Sequence, residues 1–553
     1  MIATELLNRN LLALSSRESR LSSLLSQAES SPDVFFQDAR NGDPIPVIKK
    51  DGRDFPLHST FNPIKEAAKF AAEYPTGGYI IFLGFGCGYQ IEPFLKRENV
   101  NNILIIDSNI GYLKAQLKSR DLRKIILDPR VHFLIDSSAE EVKDYVLSHC
   151  FPILTGDIQV IPLRSRINLD NQYFSTIFQT VKKTLESLAD DFTVQTSFGK
   201  KWFVNTLKNL KIAETATAIL TPISRALVTA AGPSLESDLE NIDLSNTCLI
   251  ATDTSYPALV KRGIKPDMVI SIDCQHVSYH HFMSGYDPSI PLILDLASPP
   301  GLSRLSNSPL FFTSGHPYSI YINRYWRSFP FIDTSGGNVT HAAISLAEHL
   351  GAREIDIIGA DFCYPSGKSY ARGTYIYPHF NSLSDRVHQG EYLFYDFVFK
   401  NKQMGEKKIE GETVYQTYTL NEYRNRLTAS FIDKNFSVRN LSPYSEPGDR
   451  ITRPLETGRS VSKTTQFFGS GPADCSWKEF LSLYYARLIA LPTPTSPLAG
   501  YFEQISPDNR ALWLTLFPAA AAIRKQYSKQ IIGTSDILKM AYTWSIDTIK
   551  RYL

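Results

Sequence analysis

The chain has 553 residues, more than one hydrophobic core usually organises, so we expect two or three domains. A net charge of +2 provides no basic field for nucleic acid, and no nucleic-acid partner is predicted. Apolar runs stay shorter than the roughly 18 residues of a membrane span, and six scattered cysteines without a CxxC spacing favour a reduced, cytoplasmic protein.

Residues 1–75 are predicted to form an N-terminal region of helix and loops. The opening stretch "MIATELLNRNLLALSSRESR" is typical of an amphipathic helix rather than a signal peptide, because Glu5 and Arg9 interrupt its apolar positions. The stretch "NGDPIPVIKKDGRD" then predicts a hairpin.

Residues 76–215 are predicted to form a first Rossmann-like α/β domain. The apolar stretch 79–83 runs into Gly84, Gly86 and Gly88, and the next strand, "NILIID", ends at Asp107. This spacing is closer to a methyltransferase loop than to a dinucleotide fingerprint, but such motifs often occur without a ligand. We therefore favour a tight turn and keep a ligand-binding loop as the second interpretation.

Residues 216–440 are predicted to form a second Rossmann-like domain. Its candidate strands are "RALVTAA", "TCLIATD", "MVISID", "IPLILDLA", "PLFFTSG" and "EIDIIGAD". The clearest helix starts after Asn338, a predicted N-cap, and stops at Gly351. Both domains are expected to hold parallel sheets with flanking helices, in the α/β class, and residues 441–553 form a helical C-terminal region after a Pro-, Gly- and Ser-rich stretch.

The turn in "ALVTAAGPSLESDL" is a candidate anion site. Gly232 permits a sharp exit from the strand, and Pro233 has the preset φ that suits the first turn of a helix. Ser234 places a hydroxyl beside the free N–H groups, where it binds an anion or simply caps the helix.

Polar residues also follow the other predicted strands. Because ligands bind at the carboxyl ends of parallel strands, we expect these residues to line one crevice. The candidates are Asp253, Asp273, Thr334, Ser335, Gly336 and Asp361.

These motifs resemble the motility-associated factor (Maf) family, also called DUF115, with an MptE-like central domain. The resemblance covers about residues 75–440, on "ALVTAAGPSLESDL", "GIKPDMVISID", "SGGNVTHAAISLAEHLGAREIDIIGADF" and "GKSYARGT". It implies transfer of a nonulosonic acid (pseudaminic, legionaminic or sialic-like) to Ser or Thr of flagellin, in support of flagellar assembly and motility, with another protein acceptor as the alternative partner.

The central domain is also similar to bacterial CMP-sialyltransferases. That similarity implies that Tyr364 and Tyr370 hold the departing phosphate, and that His388 or His379 is the catalytic base. The sequence departs from those enzymes at Ala231, where they carry an asparagine.

The resemblance implies a CMP-activated sugar as donor and no further cofactor. The sequence has no Asp-x-Asp pair, which fits a monophosphate donor and a reaction without divalent metal. In "DCQHVSYHH", His276 and His280 would share a helix face beside His281, but no third ligand is placed by spacing, so we expect no metal site.

Two other functions remain open. The MptE-like resemblance suggests a 6-hydroxymethylpterin pyrophosphokinase that uses ATP and Mg²⁺, but Asp273 stands alone after its strand, where clustered aspartates would be expected. The chain is otherwise a flagellin-binding scaffold without activity, as Ala231 would allow.

Overall fold

The structure is a computed structural model that describes residues 2–242, 244–400, 403–409, 411–432, 434–446, 450–451, 471–495 and 498–553. The Cα trace divides into two compact units. The first comprises Met1–Ser197, Pro492–Arg510 and Phe517–Tyr542, and the second comprises Phe198–Leu491, Ala511–Leu516 and Thr543–Leu553. The domain boundaries at 75, 215 and 440 stay a prediction, and the Pro-, Gly- and Ser-rich stretch after 440 lies largely outside the described residues.

The first unit contains a parallel sheet and a small antiparallel sheet. Its elements are α1 (Ile2–Ser15), α2 (Ser19–Gln27), β1 (Val34–Asp38), β2 (Pro44–Lys50), β3 (Arg53–Pro56), α3 (Pro63–Ala72), β4 (Gly78–Leu83), α4 (Glu92–Leu95), β5 (Val100–Asp107), α5 (Ile110–Leu117), α6 (Arg123–Ile126), β6 (Val131–Ile135), α7 (Ala139–His149), α8 (Pro152–Thr155), β7 (Ile158–Pro162), α9 (Arg164–Ile167) and the part of α10 (Asn171–Thr215) up to Ser197. The parallel strands have the order β6-β5-β4-β7, and β2 and β3 form the predicted hairpin.

Strand β4 is apolar throughout because both faces of its sheet are covered. Ile80 and Phe82 join one buried cluster, whereas Tyr79, Ile81 and Leu83 join the cluster on the other face. This continuous burial is typical of a central parallel strand. It explains why the stretch shows no alternation of apolar and polar residues.

The second unit contains the larger sheet. Its elements are β8 (Arg225–Thr229), α11 (Leu235–Asp238), β9 (Cys248–Thr252), α12 (Tyr256–Val260), β10 (Met268–Ser271), β11 (Leu292–Asp295), β12 (Pro309–Phe312), α13 (Pro317–Tyr325), α14 (Val339–His349), β13 (Glu354–Ile358), β14 (Tyr364–Pro365), α15 (Ile376–Leu383), α16 (Gly390–Phe399), β15 (Met404–Ile409), β16 (Glu412–Thr417), α17 (Tyr418–Phe431), β17 (Ser437–Asn440), β18 (Arg450–Ile451) and α18 (Trp477–Ile489). Helices α19 (Leu498–Gln504), α20 (Pro507–Gln526) and α21 (Thr534–Lys550) complete the chain.

The larger sheet has the order β12-β11-β10-β9-β8-β13-β17-β18 and is parallel except for β18. Helix α14 packs into its core through a nearly continuous buried run from Thr340 to Ala347. The side chain of Asn338 caps α14 by accepting a hydrogen bond from the His341 N–H at 3.0 Å, as predicted. The predicted α/β class, with parallel sheets and flanking helices, is confirmed.

Two further features were not predicted. Strands β14, β16 and β15 form a separate antiparallel sheet. Residues His276–Phe282 form a 3₁₀ helix directly after β10. Within the described residues, no helix combines the length and apolar character that a membrane crossing requires.

Candidate functional site

In the sheet of the second unit, the strand order changes direction at β8. Strands β9 to β12 extend it on one side, and β13 and β17 lie on the other. Open α/β sheets bind ligands at the carboxyl ends of strands beside such a reversal. The loops that follow β8, β9, β10 and β13 are therefore the candidate site.

The turn after β8 is held by a carboxylate from the loop after β13. Ser234 donates its backbone N–H to Oδ2 of Asp361 at 3.0 Å and its hydroxyl to Oδ1. A Cβ at Gly232 would lie 2.5 Å from the same carboxylate, so glycine is required there. The Ser234 donors predicted to hold a phosphate thus hold the protein's own carboxylate.

Helix α11 starts later than predicted. It begins at Leu235, so Pro233 lies in the turn before the helix rather than in its first helical turn. Ser234 occupies the N-cap position without a capping hydrogen bond, because its hydroxyl is directed to Asp361 and Asp238. Phosphate binding by this turn stays a prediction, and it would require Asp361 to release the Ser234 donors.

Asp361 is the centre of a buried polar network. Its carboxylate also accepts a hydrogen bond from the Ser442 hydroxyl at 2.6 Å. Burial raises the pKa of Asp361 above the usual aspartate value, although the hydrogen bonds from Ser234 and Ser442 favour the charged form. This network joins the carboxyl ends of β8, β13 and β17.

The ends of β9 and β10 bring two further predicted carboxylates together. Asp253 accepts hydrogen bonds from the backbone N–H of Thr254 at 2.7 Å and the hydroxyl of Ser271 at 2.6 Å. Asp273 accepts one from the Gln275 N–H at 2.9 Å. Burial raises the pKa of Asp273, and the negative charge of Asp253 raises it further.

A tyrosine-bearing loop docks against the turn after β8. The backbone N–H of Ala371 donates to the Ala231 carbonyl at 2.9 Å, which places Tyr370 beside that turn. Burial raises the pKa of Tyr364 and of Tyr370, so both phenols remain protonated donors at neutral pH. The rings of Tyr370 and Tyr375 lie 6.4 Å apart.

Three histidines gather around Tyr375. The ring of His281 meets that of Tyr375 edge-on at 4.5 Å, and the rings of His280 and His379 lie 5.1 Å apart. The negative charges of Asp253 and Asp273 reinforce the burial that raises the pKa of Tyr375. His379 is thus a member of the candidate site.

His388 lies elsewhere on the protein surface. Its side chain is 55% exposed, and its Nδ1 lies 3.4 Å from a carboxylate oxygen of Asp385. The backbone N–H of His388 also donates to Asp385, which closes a local turn. The structure therefore gives His388 neither the burial nor the neighbours of His379.

The Thr334–Gly336 loop precedes α14 and contacts a buried histidine. A Cβ at Gly336 would lie 2.4 Å from the ring of His341, so packing explains this glycine. The N–H of Ser335 donates to Asp333 at 2.8 Å, and the Thr334 carbonyl accepts from Gly337. Ligand binding by Thr334, Ser335 and Gly336 stays a prediction.

The glycine loop of the first unit is filled by the protein's own side chains. A Cβ at Gly84 would lie 2.9 Å from Arg166, one at Gly86 would lie 2.4 Å from Leu163, and one at Gly88 would lie 2.3 Å from Ile125. The carboxylate of Asp107 accepts the Phe85 N–H at 2.9 Å and pairs with the buried Arg166 at 2.8 Å. This packing favours the tight-turn interpretation.

The histidines and carboxylates of the described residues do not form a metal site. Across the described ranges, no group of three or more His, Cys, Asp or Glu side chains is arranged to hold an ion. Because residues 276–282 form a 3₁₀ helix, His276 and His280 do not share the face that an α-helix would give them. A cavity of about 440 Å³ lies at the opposite end of the sheet, where Asp267 and Met268 line it, and none of the predicted site residues does.

Sequence reasoning missed three residues of this region. The sequence motifs do not indicate Tyr375, and they indicate His281 only as a neighbour of possible metal ligands. Tyr423 on α17 lies beside Gly337, where a Cβ would approach it to 3.1 Å, and its negative form would raise the pKa of Tyr364. Only the aromatic and histidine content of "DCQHVSYHH" and "ARGTYIYPHF" could have indicated the cluster.

Two family models match the chain. The Maf glycosyltransferase N-terminal domain matches residues 14–151, and the 6-hydroxymethylpterin diphosphokinase MptE-like family matches residues 201–367. The second match spans β8 to β14, which includes the turn at Gly232 and the carboxylates at Asp253, Asp273 and Asp361.

Curated relatives come from Treponema pallidum (strain Nichols) and are described as uncharacterized proteins. One is 34% identical over 148 residues, 26% of this chain and 52% of the relative. Another is 33% identical over 164 residues, 29% of this chain and 78% of the relative. The chain therefore spans only about half the length of the first of these relatives.

A solved structure, that of the MAf glycosyltransferase from Magnetospirillum magneticum AMB-1, has the same fold. The TM-score is 0.62 at 15% identity, and the match covers 100% of this chain and 97% of that chain. The fold match over the whole chain agrees with the two family models. Residues 14–151 thus match a Maf glycosyltransferase N-terminal domain, residues 201–367 match an MptE-like domain, and the chain has the fold of a Maf glycosyltransferase.

Proposed function

We propose that the protein transfers a nonulosonic acid from a CMP-sugar to Ser or Thr of flagellin, in the cytoplasm and without a divalent metal. The observation that carries the proposal is the convergence of Tyr364, Tyr370 and Tyr375 with Asp253 and Asp273 at the carboxyl ends of the strands. The match to a Maf glycosyltransferase N-terminal domain supports a transfer reaction.

The tyrosines supply the chemistry that this reaction requires. When the sugar leaves CMP, negative charge builds on the departing phosphate, and hydrogen-bond donors aimed at it stabilise the transition state. The phenols of Tyr364 and Tyr370 remain protonated and carry no charge of their own. Because the Ser234 donors are engaged by Asp361, the proposal assigns the phosphate chiefly to these tyrosines.

A transfer assay tests the proposal. Purified full-length protein is incubated with flagellin and, in turn, CMP-pseudaminic, CMP-legionaminic and CMP-N-acetylneuraminic acid, and the intact mass of flagellin is measured. The proposal requires a mass increase of one sugar residue with one of these donors. Failure of all three donors would contradict it.

Tyr370→Phe removes one phenolic hydroxyl and keeps the ring. We expect kcat to fall by about 10²-fold, the order of effect seen when one transition-state donor is removed. Tyr392→Phe is the matched control, because Tyr392 is half exposed on α16. Equal kcat values for Tyr370→Phe and the wild type would remove Tyr370 from the proposed mechanism.

The match to the MptE-like family gives a second candidate, a pyrophosphokinase that uses ATP on a hydroxymethylpterin. Its product AMP is distinct from the CMP that sugar transfer releases. Incubation with ATP, Mg²⁺ and 6-hydroxymethylpterin therefore separates the two functions. Formation of AMP would replace the sugar-transfer proposal.

A further inference from the structure

The 3₁₀ helix after β10 presents two buried polar side chains on one face. In a 3₁₀ helix, residues three apart are eclipsed, so Ser278 and His281 point to the same side. Ser278 is 0% exposed and His281 is 9% exposed. The Ser278 hydroxyl and Nδ1 of His281 are both buried without a hydrogen-bond partner in the described part of the chain.

Buried polar atoms without partners are uncommon in native proteins, because leaving them unsatisfied costs stability. Here two such atoms lie on the same helix face, directly after the strand that ends at the candidate site. One is a hydroxyl, which donates and accepts, and the other belongs to an imidazole, which accepts when neutral. A small hydroxyl-bearing group of a bound molecule would satisfy both.

The surroundings of His281 are those of the candidate site. Tyr375 packs edge-on against its ring at 4.5 Å, and Tyr375 in turn lies 6.4 Å from Tyr370. Burial raises the pKa of Asp273 on the neighbouring loop, and the electrostatic influence of His281 only partly opposes that rise. The imidazole therefore packs against Tyr375, which lies between it and the proposed phosphate-binding Tyr370.

We propose that His281 is the catalytic base for the acceptor and that Ser278 donates a hydrogen bond to the acceptor oxygen. This inference rests on the proposed function. The proton of the Ser or Thr hydroxyl moves to the imidazole while its oxygen forms a bond to the anomeric carbon. The bond from that carbon to the phosphate oxygen breaks, its electron pair leaves with CMP, and the imidazolium releases its proton to water.

Four other histidines of the second unit fit this role less well. His388 is exposed and closes a surface turn with Asp385. Nδ1 of His341 is 3.2 Å from the Asp333 carbonyl, under the start of α14. His280 and His379 contact each other and are only partly buried.

The test compares His281→Asn with His276→Asn in the transfer assay. His276 lies on the same 3₁₀ helix and is exposed, so it is a matched control. For His281→Asn we expect kcat to fall by about 10²-fold or more, the usual contribution of a general base, with little change in the KM for the donor. His276→Asn is expected to keep the wild-type kcat.

Chemical rescue separates a base from a structural residue. Added imidazole should restore transfer by His281→Ala, but it should not restore transfer by Ser278→Ala, which lacks a hydroxyl instead. A kcat for His281→Asn equal to the wild-type value would overturn the inference, as would a loss in His388→Asn alone. A loss in His281→Ala that imidazole does not relieve would also overturn it.

The wild-type reaction separates a failure of the proposed function from a failure of the role assigned to His281. If the wild type transfers no sugar from any of the three donors, the proposed function fails and this inference fails with it. If the wild type transfers sugar and His281→Asn does so equally well, only the role of His281 is overturned.

Discussion

Arg166 is a fully buried cation that joins two carboxylates of the first unit. Its guanidinium donates to Asp107 at 3.0 Å and pairs with Asp170 as well. Burying these charged side chains costs free energy of folding. The attraction between Arg166 and its two carboxylates offsets that cost only while both signs of charge are present. Removing the cation would leave Asp107 as an uncompensated buried charge.

Arg166→Met should therefore lower the free energy of unfolding of the first unit by about 3–5 kcal/mol. Arg123→Met removes an exposed arginine that pairs with Asp121, and it should change stability by less than about 1 kcal/mol. Urea unfolding measures the stability of both variants, and amide hydrogen exchange in β4 and β5 shows whether the loss lies in the first unit. Similar losses in the two variants would contradict the assigned role of Arg166.

Asp361 should make the stability of the second unit depend on pH. Because burial raises its folded-state pKa above the unfolded value, the folded chain keeps the proton to higher pH than the unfolded chain. Stability therefore falls as pH rises through the window between these two values. This carboxyl accepts hydrogen bonds from Ser234 and Ser442, and Ser234 also donates to Asp238. The negative charge of Glu412 raises the pKa of Asp361 further.

Asp361→Asn should remove this contribution. The free energy of unfolding of the wild type, relative to the variant, is expected to fall as pH rises from the ordinary aspartate value of 3.8 towards neutrality. Urea titrations of both proteins at a series of pH values measure the difference. A difference that increases with pH would show that the folded-state pKa is lowered instead.

Hydrogen bonds between residues far apart in the chain could not be predicted from the sequence. Asp361 and Ser234 were both predicted as site residues, but their mutual bonds join positions 127 residues apart. No local pattern indicates which donors a distant carboxylate will occupy. The same holds for Arg166, whose partner Asp107 lies 59 residues away.

Helix α14 shows how much an element owes to local sequence. Asn338 ends an extended segment, and its side chain satisfies an N–H that the helix leaves free. Gly351 adopts φ +94°, a left-handed conformation that glycine favours after a helix. Both ends were predictable because each depends on contacts within a few residues.

Asn338→Ala should cost about 1 kcal/mol of stability in the second unit, whereas Asn338→Ser keeps a capping oxygen and should cost only a few tenths. Thermal unfolding gives the size of the loss, and hydrogen exchange at the first turn of α14 gives its location. Equal losses in the two variants would show that the amide acts in some other way than by capping.

The 3₁₀ helix after β10 shows where an element was not predictable from its residues. The stretch "HVSYHHF" places histidines four apart, a spacing that suggests a shared α-helical face. The tighter 3₁₀ winding instead aligns Ser278 with His281 and places His280 beside His379. The spacing of the histidines alone therefore does not give the conformation of this segment.

At the scale of the whole molecule, the two Rossmann-like sheets differ in what their strand ends offer. The glycine loop of the first unit is occupied by Arg166, Leu163 and Ile125. The strand ends of the second unit carry tyrosines, carboxylates and partly exposed histidines. We therefore expect nucleotide binding in the second unit and not in the first.

A thermal-shift series tests this division. CMP at 100 times its Kd should add about 2.7 kcal/mol to the stability of the folded protein, whereas S-adenosylmethionine should add none. Hydrogen exchange should show new protection after β9 and β10 and none after β4. Stabilisation by S-adenosylmethionine would contradict the closed packing of the first glycine loop.

The sequence alone determined the α/β class, most of the strands and the polar residues that follow them. These features depend on hydrophobic runs, caps and turns, whose physical causes act over a few neighbouring residues. Only the tertiary structure shows which of these polar residues are available to bind a ligand. In the folded chain Ser234 donates to Asp361, Arg166 packs against the glycine loop, and His281 lies beside Tyr375. The sequence does not show these pairings, because burial and hydrogen bonding depend on segments that meet only after folding.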